Sequence, residues 1–465
     1  MKYIISDNYY SDKTLVDNID NFFKTYKVSS LLKQSNFDKD KGVSCINIIK
    51  YIFIMVFSGK NLYRNLESKH NFLPFSKDVI YRFLKSVYFN WEKFLMLLSS
   101  SIIINTIYPL TTKERTNVLI VDDSYYSRNR SKKVELLSKV RDHTDGRYKK
   151  GFRLLTLGWS DGNSFIPVAF NLLSSQNQKN RYNESNPTID KRTNGFKRRS
   201  AAIQNTNDAM LTLIERAKQY LIPAKYVLFD SWFSYPSVIS KIRKMELHVL
   251  SMAKPMDRIY YKHNDKVMNL KKLYSIVNKS KTSKKNDVIA SIKVEMVHQS
   301  YGEIPVKLVF LHAENCNHEW VTLLSTDLEL SDEEIVRIYG KRWDIEVFFK
   351  MNKSYLNLAK EFQCQSYDSM VAHTTIVFLR YIYLALEMRK QRDPKTMGEL
   401  FHLICDDLDD INFLTAFNLI INALKILLKD KLYLAEEKIE ELMNQFISLL
   451  PSFIQGRKLF FSCES

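Results

Sequence analysis

Up to about residue 110 the apolar positions recur at helical spacing. Leu15, Val16, Ile19, Phe22 and Phe23 share one face, as do Ile80, Phe83, Leu84 and Val87, and glycine is almost absent. The pattern then shortens. "TNVLIVDDS" (116–124) is a compact apolar run closed by two aspartates, which predicts a buried strand. "FRLLTLGW" (152–159) and "SFIPVAFN" (164–171) flank "SDGN", a hairpin with an Asp-Gly turn. Residues 201–223 read as a helix ended by Pro223. "KYVLFD" (225–230) reads as a strand, 235–245 as a helix and 247–253 as a strand. Three runs at 287–297, 304–313 and 319–327 alternate or stay apolar with β-branched residues, so 254–326 is expected to be an all-β insert. Ser331, three residues before Glu334, has the spacing of a capping box and opens a long helix over 330–356. The rest is helical, with amphipathic stretches at 371–387 and 433–450.

This order predicts an α/β fold with a ribonuclease-H-like core. Three strands form an antiparallel meander, and later strands add beside the first through helices. The expected division is 1–112 helical and a candidate for end-DNA binding, 113–253 first part of the core, 254–326 β-rich insert, 327–390 second part of the core, and 391–465 helical and a candidate for dimerisation.

With 465 residues the chain is too long for one compact core, so two to four domains are expected. The most apolar runs, 47–58 and 413–428, are too short to span a bilayer and are interrupted or ended by Lys50 and Lys425, so buried helices are expected. No signal-peptide pattern opens the chain, and its five cysteines are scattered, which together suggest a reducing cytoplasm. The net charge of +18 changes the picture more. It favours a polyanionic partner, with nucleic acid first and an anionic membrane surface second. Basic stretches at 127–153, 179–200 and 278–287 are expected to be loops that contact a DNA backbone. "HAENCNH" (312–318) offers His312, Cys316 and His318 but no fourth zinc ligand at usual spacing. Helix 76–87 points Arg82 and Lys85 outward without a clear helix-turn-helix pattern. No phosphate-cradling glycine loop is present, so ATP is not implied.

In such a basic chain, carboxylates at strand ends are notable. Asp122 or Asp123 ends the first core strand, Asp230 ends the fourth, and Glu346 follows the insert. Neighbouring strands would bring the aspartates to one sheet edge, and a helix across that edge would add the glutamate. Hard oxygen donors of this kind hold Mg²⁺ or Mn²⁺, and two ions about 4 Å apart support in-line phosphoryl transfer. Tyr339, Arg342, Glu346 and Lys353 stand at i, i+3, i+7 and i+14, which at about 100° per residue is one helical stripe.

That spacing, Tyr-x2-Arg-x3-Glu-x6-Lys, resembles the signature around the catalytic glutamate of a group of bacterial insertion-sequence DDE transposases. "VLIVDDS" and "VLFDSWFS" resemble their two aspartate strands, and the likeness covers roughly residues 113–390. It implies a ribonuclease-H-like core with a β insert before the glutamate helix. It also implies Asp122, Asp230 and Glu346 as metal ligands, with Asp123 as the alternative first aspartate. Ser124 then fills a Thr/Ser position, which favours Asp122. Tyr339, Arg342 and Lys353 would contact the DNA backbone near the scissile phosphate. Trp320, on the last insert strand, would stack on a flipped base, although a core tryptophan explains it as well. The resemblance further implies a homodimer on the terminal inverted repeats that cuts DNA and joins it to a target. A silent DNA-binding relic of the same fold, or a nuclease that does not join, would carry the same carboxylates. A membrane-surface protein fits least, since the basic residues lie in loops around the core.

Overall fold

The computed structural model describes residues 15–39, 41–59, 76–111, 115–142, 145–279, 288–313, 320–361, 364–390, 396–432 and 435–450. Among the described residues five α-helices come first: α1 (Leu15–Thr25), α2 (Val28–Gln34), α3 (Cys45–Met55), α4 (Lys77–Leu84) and α5 (Trp91–Ile102). Strands β1 (Val118–Ser127), β2 (Ser138–Arg141), β3 (Tyr148–Ser160) and β4 (Phe165–Leu173) lead to α6 (Asn194–Ala202) and α7 (Thr206–Gln219). Then follow β5 (Tyr226–Phe229), α8 (Pro236–Lys244) and β6 (His248–Met252). The helix expected over 201–223 is therefore two, because the Asn205 side chain accepts from the Asn207 N–H and starts a new helix there.

β1 pairs antiparallel with β3, which pairs antiparallel with β4, while β1 and β5 and then β5 and β6 are parallel. The core order is β4-β3-β1-β5-β6. β2 shares the outer edge of β3 with β4, so the basic stretch 127–153 contains the short strand β2 and the start of β3 as well as loop. The result is a mixed α/β sheet covered by helices.

The insert differs from expectation in two ways. It contains a helix, α9 (Leu270–Lys279), packed on β7 (Tyr260–His263), β8 (Lys266–Asn269) and β9 (Val288–His298). It also makes no separate sheet. β10 (Gly302–His312) pairs with β11 (Trp320–Ser325), and β11 pairs antiparallel with β6, Leu323 opposite Met252. Among the described residues all strands join one 11-stranded sheet. Likewise one apolar core runs from Ile19 to Leu408, across the boundaries expected at 112, 253, 326 and 390.

The capping box closes as expected: Ser331 Oγ accepts from the Glu334 N–H at 3.1 Å, and Glu334 returns the bond. The helix it opens is two, α10 (Asp332–Gly340) and α11 (Trp343–Ser354). Lys341 and Arg342 between them keep right-handed helical dihedrals, but their N–H groups donate to Ile338 and Tyr339, three residues back. The turn is tightened, not broken. α12 (Tyr367–Lys390) is apolar and long enough to cross a membrane, yet that apolar window is wholly buried by protein. It is not the amphipathic helix expected at 371–387, because its polar positions are also buried. Arg380 holds Glu361 at 2.8 Å through both nitrogens and donates to the carbonyls of Phe53 and Ile52 at the end of α3. Conversely, 413–428 is not fully buried. It lies on α13 (Met397–Leu432), which leaves Ile420, Ile426 and Leu427 exposed beside α14 (Glu436–Ser448).

Candidate active site

The parallel register of β1 and β5 sets Val118 opposite Tyr226 and Ile120 opposite Leu228. Continued two residues, it places Asp230 level with Asp122, one strand away and on the same sheet face. Asp123 projects to the other face, where its Oδ2 meets Arg153 Nε at 3.0 Å. α11 packs over β1. From its first turn Arg342 reaches both carboxylates: Nη1 stands 3.5 Å from Asp122 Oδ2, and Nη2 is 2.5 Å from Glu346 Oε1. From its last turn Lys353 Nζ donates to Ser124 Oγ at 2.6 Å. Tyr339 is partly buried, with the Arg342 guanidinium 5.9 Å from its ring centroid. The stripe thus faces β1, and Asp122, Asp230, Tyr339, Arg342, Glu346 and Lys353 gather at one sheet edge.

Their electrostatics follow from crowding. Asp122 is pushed up to about 7, first by burial and then by the charges of Asp123 and Asp230, with Arg342 opposing. Burial raises the Tyr339 phenol to about 12 and lowers the Lys353 ammonium. Among the described residues, no three His, Cys, Asp or Glu side chains converge closely enough to hold an ion. The cause is visible in the contacts, since the Arg342 guanidinium lies between Asp122 and Glu346. The donor set itself suits a hard cation. Three carboxylates from two strands and a helix offer only oxygen ligands, and the raised pKa of Asp122 marks negative charge that a divalent ion would relieve.

Trp320 lies on the insert. It stacks on Tyr274, ring centroids 4.3 Å apart and planes at 19°, with Phe310 edge-on at 5.6 Å. It packs within the insert, at the start of β11. His312 pairs with Trp320 across β10 and β11, while Cys316 and His318 lie outside the described residues, as do 280–287 of the third basic stretch. Two arginines of the 179–200 stretch are structural. Arg199 is buried between Glu135 and Asp368, and Arg198 pairs with Asp368, so neither is a loop contact for DNA.

Sequence reading passed over a support beneath the tightened turn. Lys341 Nζ donates to the carbonyls of Thr116 at 2.6 Å and Asp161 at 3.2 Å, and Ser160 Oγ donates to Asp344 Oδ2 at 2.6 Å. A Cβ at Gly162, whose φ is +88°, would meet Lys341 at 3.0 Å. The β3–β4 turn thereby sets where α11 begins. Trp232, two residues beyond Asp230, is a further side chain at this edge that the sequence pattern did not single out. A tryptophan just past an acidic strand end was the available signal.

Two family models match the chain. That of the DDE superfamily endonuclease covers residues 65–272, a span with Asp122, Asp123 and Asp230. That of the transposase DDE domain covers residues 195–382, with Asp230, Trp320, Tyr339, Arg342, Glu346 and Lys353. No curated protein matches. The two matches overlap around Asp230 and together support a DDE transposase with DNA as its partner.

Proposed function

We propose that the chain is an insertion-sequence transposase that cuts the ends of its own element and joins them to target DNA. The core order β4-β3-β1-β5-β6 supports a ribonuclease-H-like core. The observation that carries the reading is the level placement of Asp122 and Asp230 on parallel strands, with Glu346 brought over them by α11. Asp122, Asp230 and Glu346 would hold Mg²⁺ or Mn²⁺, in a pair of ions. When bound, these supply activation of the attacking hydroxyl and neutralise charge in an in-line displacement, with water and then a 3′-hydroxyl as nucleophile. Asp123, held by Arg153, is the weaker candidate for the first ligand. Arg342, Tyr339 and Lys353 line the same edge and take phosphate oxygens of the strand being cut. Arg342 must then leave at least one carboxylate, which a backbone phosphate favours by offering it an alternative anion. The protein works as a homodimer on terminal inverted repeats, in the cytoplasm of a bacterium.

A nuclease that cuts without joining is the second reading, favoured by the endonuclease match. Purified protein is incubated with its gene's flanking DNA in Mg²⁺, beside Glu346→Ala, and strands are resolved on a denaturing gel. End-specific cuts plus joined product, absent in the variant, support the transposase. Cuts without joining support the nuclease. Binding without metal-dependent cuts supports a silent relic, and cleavage unchanged in the variant removes the site.

A further inference from the structure

A second group of side chains gathers at the C-terminal end of β5. Asp230 Oδ1 accepts from the Trp232 backbone N–H at 2.9 Å, so a short turn ties the indole to the carboxylate. The indole is 44% exposed, unlike the covered Trp320. Two cations lie over its ring, with Arg153 Cζ 5.3 Å and Lys254 Nζ 5.1 Å from the centroid. Both are held in place. Arg153 is gripped by Asp123, and Lys254 Nζ donates to the Tyr235 hydroxyl at 2.7 Å and the Trp232 carbonyl at 3.2 Å. Arg153 comes from β3, Trp232 from just after β5 and Lys254 from just after β6, so three parts of the sheet converge on one spot.

An exposed aromatic beside fixed cations is how proteins hold single-stranded nucleic acid: the ring meets base or sugar, and the cations meet phosphate. Bases inside a duplex are already stacked on their neighbours, so a lone indole gains most from an unpaired one. We propose that Arg153, Trp232 and Lys254 bind an unpaired nucleotide of the DNA strand beside the acidic cluster. This rests on the transposase reading above and adds a strand-gripping site to it.

The test uses the full chain and two probes of equal length, a short oligothymidylate and a blunt duplex of arbitrary sequence, read by fluorescence anisotropy. Trp232→Ala weakens oligothymidylate binding by about 5- to 100-fold and leaves the duplex affinity near wild type. Trp232→Phe keeps most of the binding, and Lys254→Gln lowers its salt dependence. The melting temperatures of Trp232→Phe and Lys254→Gln confirm folded comparators. Equal losses on both probes, or none in either Trp232→Ala or Lys254→Gln, overturn the site while the transposase reading stands. A wild type that binds neither probe and cuts no DNA removes both.

Discussion

Arg342 Nη1 stands 3.5 Å from Asp122 Oδ2, so a cation of the protein's own already faces the aspartate assigned to the metal. Guanidinium and divalent ion then compete for the same oxygens. Arg342→Ala is expected to bind Mn²⁺ as tightly as wild type or up to about 5-fold more tightly, since about 1 kcal/mol of like-charge repulsion is removed. The same variant should cut DNA about 100-fold more slowly, for want of a phosphate contact. Electron paramagnetic resonance titration and a cleavage assay separate the two effects, and parallel losses would contradict the competition.

The raised pKa of Asp122 fixes a sign. The unfolded carboxyl titrates near 4 and the folded one at about 7, so between these values the folded chain holds a proton that the unfolded chain has released. Without divalent ions, this group's contribution to stability therefore falls as pH rises from about 4 to about 7 and stays low above. Asp122→Asn should melt higher than wild type at pH 8, by a margin of about 1–3 kcal/mol, and match it near pH 4. Adding Mg²⁺ at pH 8 should raise the wild-type melting temperature and not the variant's. Calorimetry in two buffers of different ionisation enthalpy should show proton release on Mn²⁺ binding below pH 7.

Lys341 tests the support under α11. Lys341→Met keeps an apolar stem but gives up both carbonyl contacts. DNA cleavage should fall about 10- to 100-fold through misplacement of Arg342 and Glu346. The duplex affinity should hold, and Lys341→Arg should recover part of the rate. A loss of binding equal to the loss of rate would show a direct DNA contact instead.

The core strands were legible from sequence as apolar runs, and Asp230 and Glu346 as an acidic strand end and a helical stripe, whereas β1 runs on to Ser127 and leaves Asp122 in mid-strand, not at the strand end its apolar run suggested. Less visible were features that depend on partners distant in sequence. Nothing local marks Lys341 and Asp344, whose partners Thr116, Asp161 and Ser160 lie about 180 residues or more away in the chain. Arg198 and Arg199 read as a basic loop until Glu135 and Asp368 close on them. The polar positions of α12 suggested a wet face, but Arg380 and Glu361 satisfy each other inside the protein. Trp320 gave no sign that Tyr274 covers it.

The buried pair gives a stability prediction. Arg380→Met leaves Glu361 with His373 alone and the last turn of α3 without a donor, at a cost of about 3–5 kcal/mol. Double substitution with Glu361→Gln should recover part of that loss. Denaturant unfolding of both variants measures it.

Trp320→Ala should act on the insert rather than on DNA. Losing the stack with Tyr274 should cost about 2–4 kcal/mol, seen as a lower melting temperature, while turnover per folded molecule on pre-nicked DNA stays near wild type. Selective failure to process hairpin ends, with stability intact, would return Trp320 to the DNA.

The hydrogen bonds between β11 and β6 carry a mechanical meaning. Because Leu323 and Leu324 are laddered to Met252 and Ser251, the insert is bolted to the strand next to Asp230 and has no hinge at that seam. It cannot swing over a bound duplex like a lid. Any motion of the insert at this seam must first break that ladder.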